Sequence, residues 1–207
     1  MTHALIDATT AAGQQLFAVA LSQPGVTLEP ASWVGIGMAR TDTRAVSFSD
    51  VTVSPVGDVG AYLDRPGFWA GAVGVAACWH GGTVAVADAF WGGPLGTDPH
   101  RRAHLGAVHA ALAQNQALLQ WAAGEFDGDL STAPAVVART VRSAIASNAV
   151  AVIDRTGRAL GPTPLAFDEK HAQTVADLLV YIRQDHAERD LERLGSDLID
   201  RQEPWVL

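Results

Sequence analysis

A chain of 207 residues with 48% apolar residues can bury a sizeable core, and its length suits one domain or two small ones. The net charge of −8 argues against general nucleic-acid binding, and no clustered Lys/Arg tract offers a footprint for an anionic membrane. Cys78 is the single cysteine, so an intrachain disulfide is excluded and a cytoplasmic setting is expected; no basic stretch followed by an apolar one marks a secretory signal.

The pattern changes at about residue 65. Before it, short apolar runs alternate with turn residues. After it, four long segments carry helical periodicity. Leu16–Leu21 reads as a buried strand ended by the turn Ser22-Gln-Pro-Gly25. Val46, Phe48, Val51 and Val53 alternate with polar residues, with one slip, and predict a half-buried strand with a bulge or register shift. Such a sheet is partial and leaves edges open.

The first long helix is expected from about Phe68 to Phe90. It is apolar on nearly every face, which places it at the centre of a bundle, with Cys78 as inert core. Residues 66–87 contain no Asp, Glu, Lys or Arg, yet Pro66, His80 and several glycines favour a buried helix over a membrane span. Asp98-Pro99 opens the second helix as N-cap and first helical residue, with Leu105, Val108, Leu112 and Leu119 on one face and Gly124 as its end. Ser131-Thr-Ala-Pro134 starts the third, with Val137, Val141, Ala144 and Val152 inward and Gly157 near its C-cap. After a loop over Arg158–Pro164, the fourth helix is expected from Asp168 to Leu194 with Gly195 as terminator. Val175, Leu178, Leu179 and Ile182 pack inward, and Asp185–Arg193 forms a charged, solvated run.

The stretch Gly37-Met-Ala-Arg-Thr-Asp-Thr-Arg-Ala-Val-Ser-Phe-Ser-Asp-Val-Thr-Val53 resembles the end of the middle β-domain of acyl-CoA dehydrogenases. Arg102-Ala-His-Leu-Gly106 resembles that family's R-x-x-F-G, with Leu105 in place of Phe. Arg158–Pro162 sits where the family has a Gly-rich loop between its last two long helices. The resemblance covers nearly the whole chain. It implies an α+β, mainly α fold: a partial antiparallel β-sheet over residues 1–64, then a four-helix up-and-down bundle over residues 65–207. It also implies that the family's N-terminal helical domain and first β-strands lie outside the chain, with Met1 corresponding to mid-domain.

By the same resemblance the cofactor is FAD and the substrate an acyl-CoA thioester, oxidised at its α,β carbons. Arg102, with Leu105 and Gly106, matches the motif whose arginine offers a guanidinium fork to the FAD pyrophosphate. Arg101 is a weaker candidate without a motif match. Ala113 stands where the family carries a glutamine, with Gln114 next to it. Gly161 matches the loop whose main chain approaches the cofactor. The family's catalytic I-x-E-G-T is replaced by Tyr181-Ile-Arg-Gln-Asp-His-Ala187, so Asp185 falls at the base position, one methylene shorter. His186 lies near the point where monooxygenases of the fold use a histidine. The alternatives are a noncatalytic helical oligomerisation subunit and a flavin-dependent monooxygenase. Partners expected are the thioester and a second chain, either a copy or one supplying the missing N-terminal region; no membrane span is expected.

Other signals are set aside. His100, His104 and His109 lack the Glu of H-E-x-x-H, so no metal is assigned. Gly35-Ile-Gly37 lacks the third glycine of a dinucleotide fingerprint.

Overall fold

The computed structural model describes residues 2–65, 67–92, 96–127 and 133–202. The strands are β1 (His3–Thr10), β2 (Gly13–Ala20), β3 (Val26–Leu28), β4 (Val46–Phe48) and β5 (Val53–Pro55). The helices are α1 (Ala61–Asp64), α2 (Gly67–Ala87), α3 (Pro99–Asp127), α4 (Pro134–Leu160), α5 (Thr163–Phe167), α6 (Glu169–Tyr181) and α7 (Glu188–Arg201). The architecture is mainly helical with a small antiparallel sheet, as the residue pattern implies. Two compact units emerge: the described residues up to Gly35 with Ala39–Phe68, and Ile36–Met38 with the described residues from Trp69 onward.

In the first unit β1, β2 and β5 form a three-stranded sheet in that order, and β3 pairs with β4 separately. Antiparallel β1 and β2 close through a tight turn at Thr10–Gly13, where Gly13 takes φ 130. The Thr10 hydroxyl donates to the Gly13 carbonyl at 2.9 Å, which pins the register. Leu16 and Val19 are buried, on opposite faces of β2. The single strand expected over Val46–Val53 is two strands. Val46–Phe48 pairs with Val26–Leu28, whereas Val53–Pro55 pairs with Phe17–Val19. The slip in alternation marks a change of sheet rather than a bulge. Both short strands are exposed.

In the second unit the core is built from Val73, Ala76, Trp79, Val86 and Phe90, with Val108 and Ala122 of α3, Val137, Val141, Ile145, Ala149 and Val152 of α4, and Val175, Leu178 and Ile182. Two predicted positions differ: Ala144 is half-buried, and Leu179 is exposed because its neighbours Leu178 and Ile182 take the inward face. Helix α2 is not central. It buries one stripe, Val73, Ala76, Trp79, Thr83 and Val86, and leaves the face bearing Gly71, Gly74, Cys78 and Val84 exposed. Cys78 is therefore exposed rather than core. Two helical stretches, Gly67–Trp91 and Pro134–Leu160, are apolar and long enough to cross a membrane, with 33% and 39% of their most apolar windows buried in the fold.

Helix ends follow local chemistry where it is strong. Asp98 caps α3: its side chain accepts the His100 N–H at 2.9 Å, and Pro99 occupies the first turn, where a missing N–H costs nothing. The helix passes through Gly124 to Asp127, and α4 passes through Gly157 to Leu160. Both glycines keep helical geometry, so neither acts as a cap. The cap of α4 is Gly161, at φ 68 and ψ −162, a region open almost only to glycine. Arg158 accordingly lies in the last turn of α4, paired with Asp154, rather than in a loop. Of the expected start of this helix, Ser131 and Thr132 lie outside the described residues.

The largest departure concerns the fourth helix. The continuous helix expected from Asp168 to Leu194 is interrupted after Tyr181 by a 3-10 turn over Ile182–Gln184. Asp185 then becomes extended, and Ala187 takes φ 47 and ψ −119 before α7 starts. Gly195 lies inside α7 and terminates nothing.

A short segment of sequence also docks onto α6. The Met38 N–H donates to Asp177 Oδ1 at 2.6 Å, and Gln173 Nε2 donates to the Ile36 carbonyl at 3.1 Å. Gly37 lies between them. A Cβ there would sit 2.1 Å from the Ala176 carbonyl oxygen, so only glycine allows this approach.

Candidate active site

The break between α6 and α7 gathers a cluster of interacting ionisable groups: Arg142, Asp185, His186 and Asp190. Neither glycine nor proline occupies it. Tertiary contacts hold it instead. Arg142, on α4, donates to the Ala72 carbonyl of α2 at 3.1 Å and to the Gln184 carbonyl at 2.7 Å. Its guanidinium lies 4.6 Å from the centroid of the fully buried Trp79 ring, a cation–π arrangement. Tyr181 meets the same indole edge-on, with centroids 6.2 Å apart, and burial, with the Cys78 thiol adding to it, raises its phenol above the ordinary value. Arg139 pairs with Asp197 and so ties α7 to α4.

Electrostatics at the break follow from this packing. Burial raises the Asp185 carboxyl above its ordinary range and the nearby Asp190 adds to it, while Arg142, the Ala187 N–H and His186 oppose. Asp185 Oδ1 is buried without a hydrogen-bond partner. Burial likewise lowers Arg142, against the pull of Asp185, Asp190 and Tyr181. A carboxyl with raised proton affinity, adjacent to a structural cation, has the properties of an acid/base group. Asp185 and His186, expected on a solvated helix face, are instead adjacent in a non-helical turn.

A second region lies at the far end of α4. There a cavity of about 460 Å³ is lined by Arg101, Leu160, Thr163, Lys170 and His171, with Asp88 and Asp168 on its wall. His171 is 7% exposed, and its Nδ1 is buried without a partner. Burial holds His171 below the ordinary histidine value, with Asp168 opposing. Arg101, which carries no motif, lines this cavity. Arg102, which carries the motif, is exposed and donates to the Gly96 carbonyl at 3.3 Å. Leu105 packs half-buried against the core, and Gly106 faces open space. Gly161 follows Leu160 at the cavity, with nothing within 4 Å of the position a Cβ would take. The two cations of this wall, Arg101 and Lys170, and the buried imidazole nitrogen are of a kind that meets the pyrophosphate of a dinucleotide, while Asp88 and Asp168 offset their charge. Neither Arg101 nor His171 stands in a motif, so the sequence marks Arg101 weakly and His171 not at all.

Gln114 is placed elsewhere, in a groove of about 580 Å³ between α3 and α4 with Leu118, Trp121, Ser147 and Asn148. Asn148 Nδ2 donates to the fully buried Asn115 at 2.8 Å and to Gln114 at 3.4 Å. Nδ2 of Asn115 lies 3.4 Å from Nδ1 of His80. The sequence-derived candidates thus fall in three places: Asp185 and His186 at the break, Arg102, Leu105, Gly106 and Gly161 towards the α4 end and α3 start, and Gln114 in the groove. Among the described residues no group of three or more His, Cys, Asp or Glu side chains could hold a metal ion.

No family model matches the chain, and no curated protein matches it. Solved structures do. An acyl-CoA dehydrogenase from Slackia heliotrinireducens superposes with a TM-score of 0.76 at 18% identity, over 97% of this chain and 57% of its own. Butyryl-CoA dehydrogenase from Megasphaera elsdenii gives 0.75 at 20% identity, over 95% and 55%. The 3-HSA hydroxylase from Rhodococcus sp. RHA1 gives 0.77 at 15% identity, over 100% and 62%. The chain therefore spans about 57% of the length of such neighbours. Across nearly all its residues, the chain has the fold of the C-terminal half of the acyl-CoA dehydrogenases.

Proposed function

We propose that this chain is part of an FAD-dependent oxidoreductase that oxidises an acyl-CoA thioester at its α,β carbons. The observation that supports it is the α6–α7 break, where a half-buried carboxyl of raised proton affinity sits beside Arg142 in a bundle of this fold. Asp185 would take the α-proton of the thioester. FAD, when bound, would supply the two-electron acceptor for the β-hydride. Arg102, with Arg101 beside it, would neutralise the pyrophosphate; Leu105, Gly106 and Gly161 would pack against the cofactor, and Gln114 would offer an amide. The remainder of the flavin and acyl sites would come from another polypeptide that supplies the region matched by the family's N-terminal half, or this chain would assemble with copies of itself around a partial site, in a cytoplasmic assembly.

The pair His186 and Asp190 favours a second reading, a flavin-dependent monooxygenase, and a hydroxylase from Rhodococcus is among the fold neighbours. A noncatalytic oligomerisation subunit is the reading both must beat. The deciding experiment is the visible spectrum of the purified chain after incubation with FAD and removal of free cofactor, alone and with its complementing polypeptide. Retained, perturbed flavin that weakens in Arg102→Ala supports the proposal. No flavin in either preparation overturns it in favour of the structural subunit. Bleaching by an acyl-CoA thioester without oxygen separates the dehydrogenase from the hydroxylase.

A further inference from the structure

Three amides link one histidine of α2 to the wall of the α3–α4 groove. His80 is half-buried, and its Nδ1 lies 3.4 Å from Nδ2 of the fully buried Asn115 on α3. Asn115 Oδ1 accepts from Nδ2 of Asn148 on α4 at 2.8 Å, and the same Nδ2 donates to Gln114 Oε1 at 3.4 Å. Gln114 and Asn148 line the groove beside Trp121. The contacts therefore run from a titratable ring, through a buried amide, to that wall.

The direction of the whole row is set by the ring. An amide has one accepting end and one donating end, and its carbonyl oxygen cannot donate. With Nδ2 of Asn115 towards His80, Nδ1 must accept, so the neutral ring carries its proton on Nε2. A proton taken from solvent onto Nδ1 sets donor against donor. Asn115 is fully buried and has no water to turn to, so its amide keeps partners by turning over. Its Oδ1 then accepts from His80, and its Nδ2 donates to Asn148. Asn148 must turn its Oδ1 to receive that bond, and Gln114 must turn its Nε2 to the same oxygen. The four groups thus have two self-consistent settings, one for each charge of His80. In the neutral setting Gln114 turns its NH₂ group away from Asn148; in the protonated setting it turns its carbonyl away. Helix α2 carries no Asp, Glu, Lys or Arg. Burial lowers the proton affinity of His80, and neither Cys78 of its own helix nor His109 of α3, Arg142 of α4 or Tyr181 of α6 adds to or opposes that effect.

We infer that His80 is a proton switch that sets the donor and acceptor pattern of the α3–α4 groove through Asn115, Asn148 and Gln114. The inference does not rest on the flavin reading. Amides that only tie α2, α3 and α4 together would make the same contacts without a concerted response to pH.

The test is the ring ¹⁵N and side-chain amide spectra of the full chain between about pH 8 and 5, with signals assigned through His80→Gln, Asn148→Ser and Gln114→Ala. The expected result is an Nε2–H tautomer in the neutral His80 ring, and amide signals of Asn115, Asn148 and Gln114 that all shift with the midpoint of that ring. In His80→Gln those shifts are lost. In Asn115→Leu the ring still titrates while Asn148 and Gln114 stop responding. An Nδ1–H tautomer in the neutral ring, or Asn148 signals that stay still while His80 titrates, overturns the inference. So does a response that persists in His80→Gln or Asn115→Leu, or a ring that gains no proton before the chain unfolds. Should Asn115→Leu not fold, the native chain and His80→Gln decide.

Discussion

Two of the helix interruptions that follow α4 arise in different ways. After α4 the interruption is local: Gly161 adopts φ 68 and Pro162 follows, so the helix stops because of what stands there. After α6 nothing local demands a stop. Where the chain leaves the helix, Arg142, 42 residues away, donates to the Gln184 carbonyl. A turn imposed by distant contacts at the expense of backbone comfort, with Ala187 at φ 47, is where function is most often stored.

That difference can be pushed from both sides. Trp79→Ala removes the fully buried ring beneath Arg142 and should cost about 3–5 kcal/mol in denaturant unfolding. Hydrogen exchange at residues 182–190 should rise in parallel. Arg142→Met keeps the bulk but drops two charged hydrogen bonds, an expected loss of about 2–3 kcal/mol. Its exchange changes should concentrate at the α6–α7 break and spare residues 157–164. Gly161→Ala meets no steric obstacle but a hostile φ, so about 1–2 kcal/mol should be lost, confined to the α4–α5 turn. Ala187→Gly relieves the strain at the other break and should stabilise by up to about 1 kcal/mol. If Arg142→Met loosened both interruptions equally, the contrast between them would fail.

The smallest effect is one of pH. Burial lowers the proton affinity of His80 and His171 in the folded state. The unfolded chain therefore binds the extra protons, and stability is fully present above the ordinary histidine value of about 6.5. It should fall as pH drops from there through the lowered folded values. Urea midpoints between neutral and acidic pH check this, and His171→Gln should flatten the slope.

Legibility in the sequence tracks the same division. Asp98-Pro99 predicts the start of α3 because cap and proline act on their own neighbours. Leu16–Leu21 predicts β2 because its apolar run is dense. Strand β1 escapes notice because its half-buried positions are Ala4, Ile6, Ala8 and Thr10, a weak apolar signal. Val46–Val53 reads as one strand because alternation continues in sequence while the pairing partner changes. Gly124 and Gly157 mislead because glycine marks a helix end only where a positive φ is required, and neither position requires one. Helix α2 is apolar all round, so its composition cannot say which face is covered, and Cys78 is misplaced accordingly. The break could not be read at all. Its anchor joins residues 42 apart in sequence, and no residue at 185–187 announces it. The positions of Asp185 and His186 come from the family resemblance; the non-helical turn that holds them comes from the structure.

The most direct measurement is anaerobic mixing of the flavin-loaded protein, with its complementing polypeptide, against an acyl-CoA thioester, followed by flavin bleaching in the native chain and in Asp185→Asn. The account predicts bleaching in the native chain and a loss on the order of 10²-fold or more in the variant. Bleaching that is unchanged in Asp185→Asn, or absent in the native chain, would contradict it.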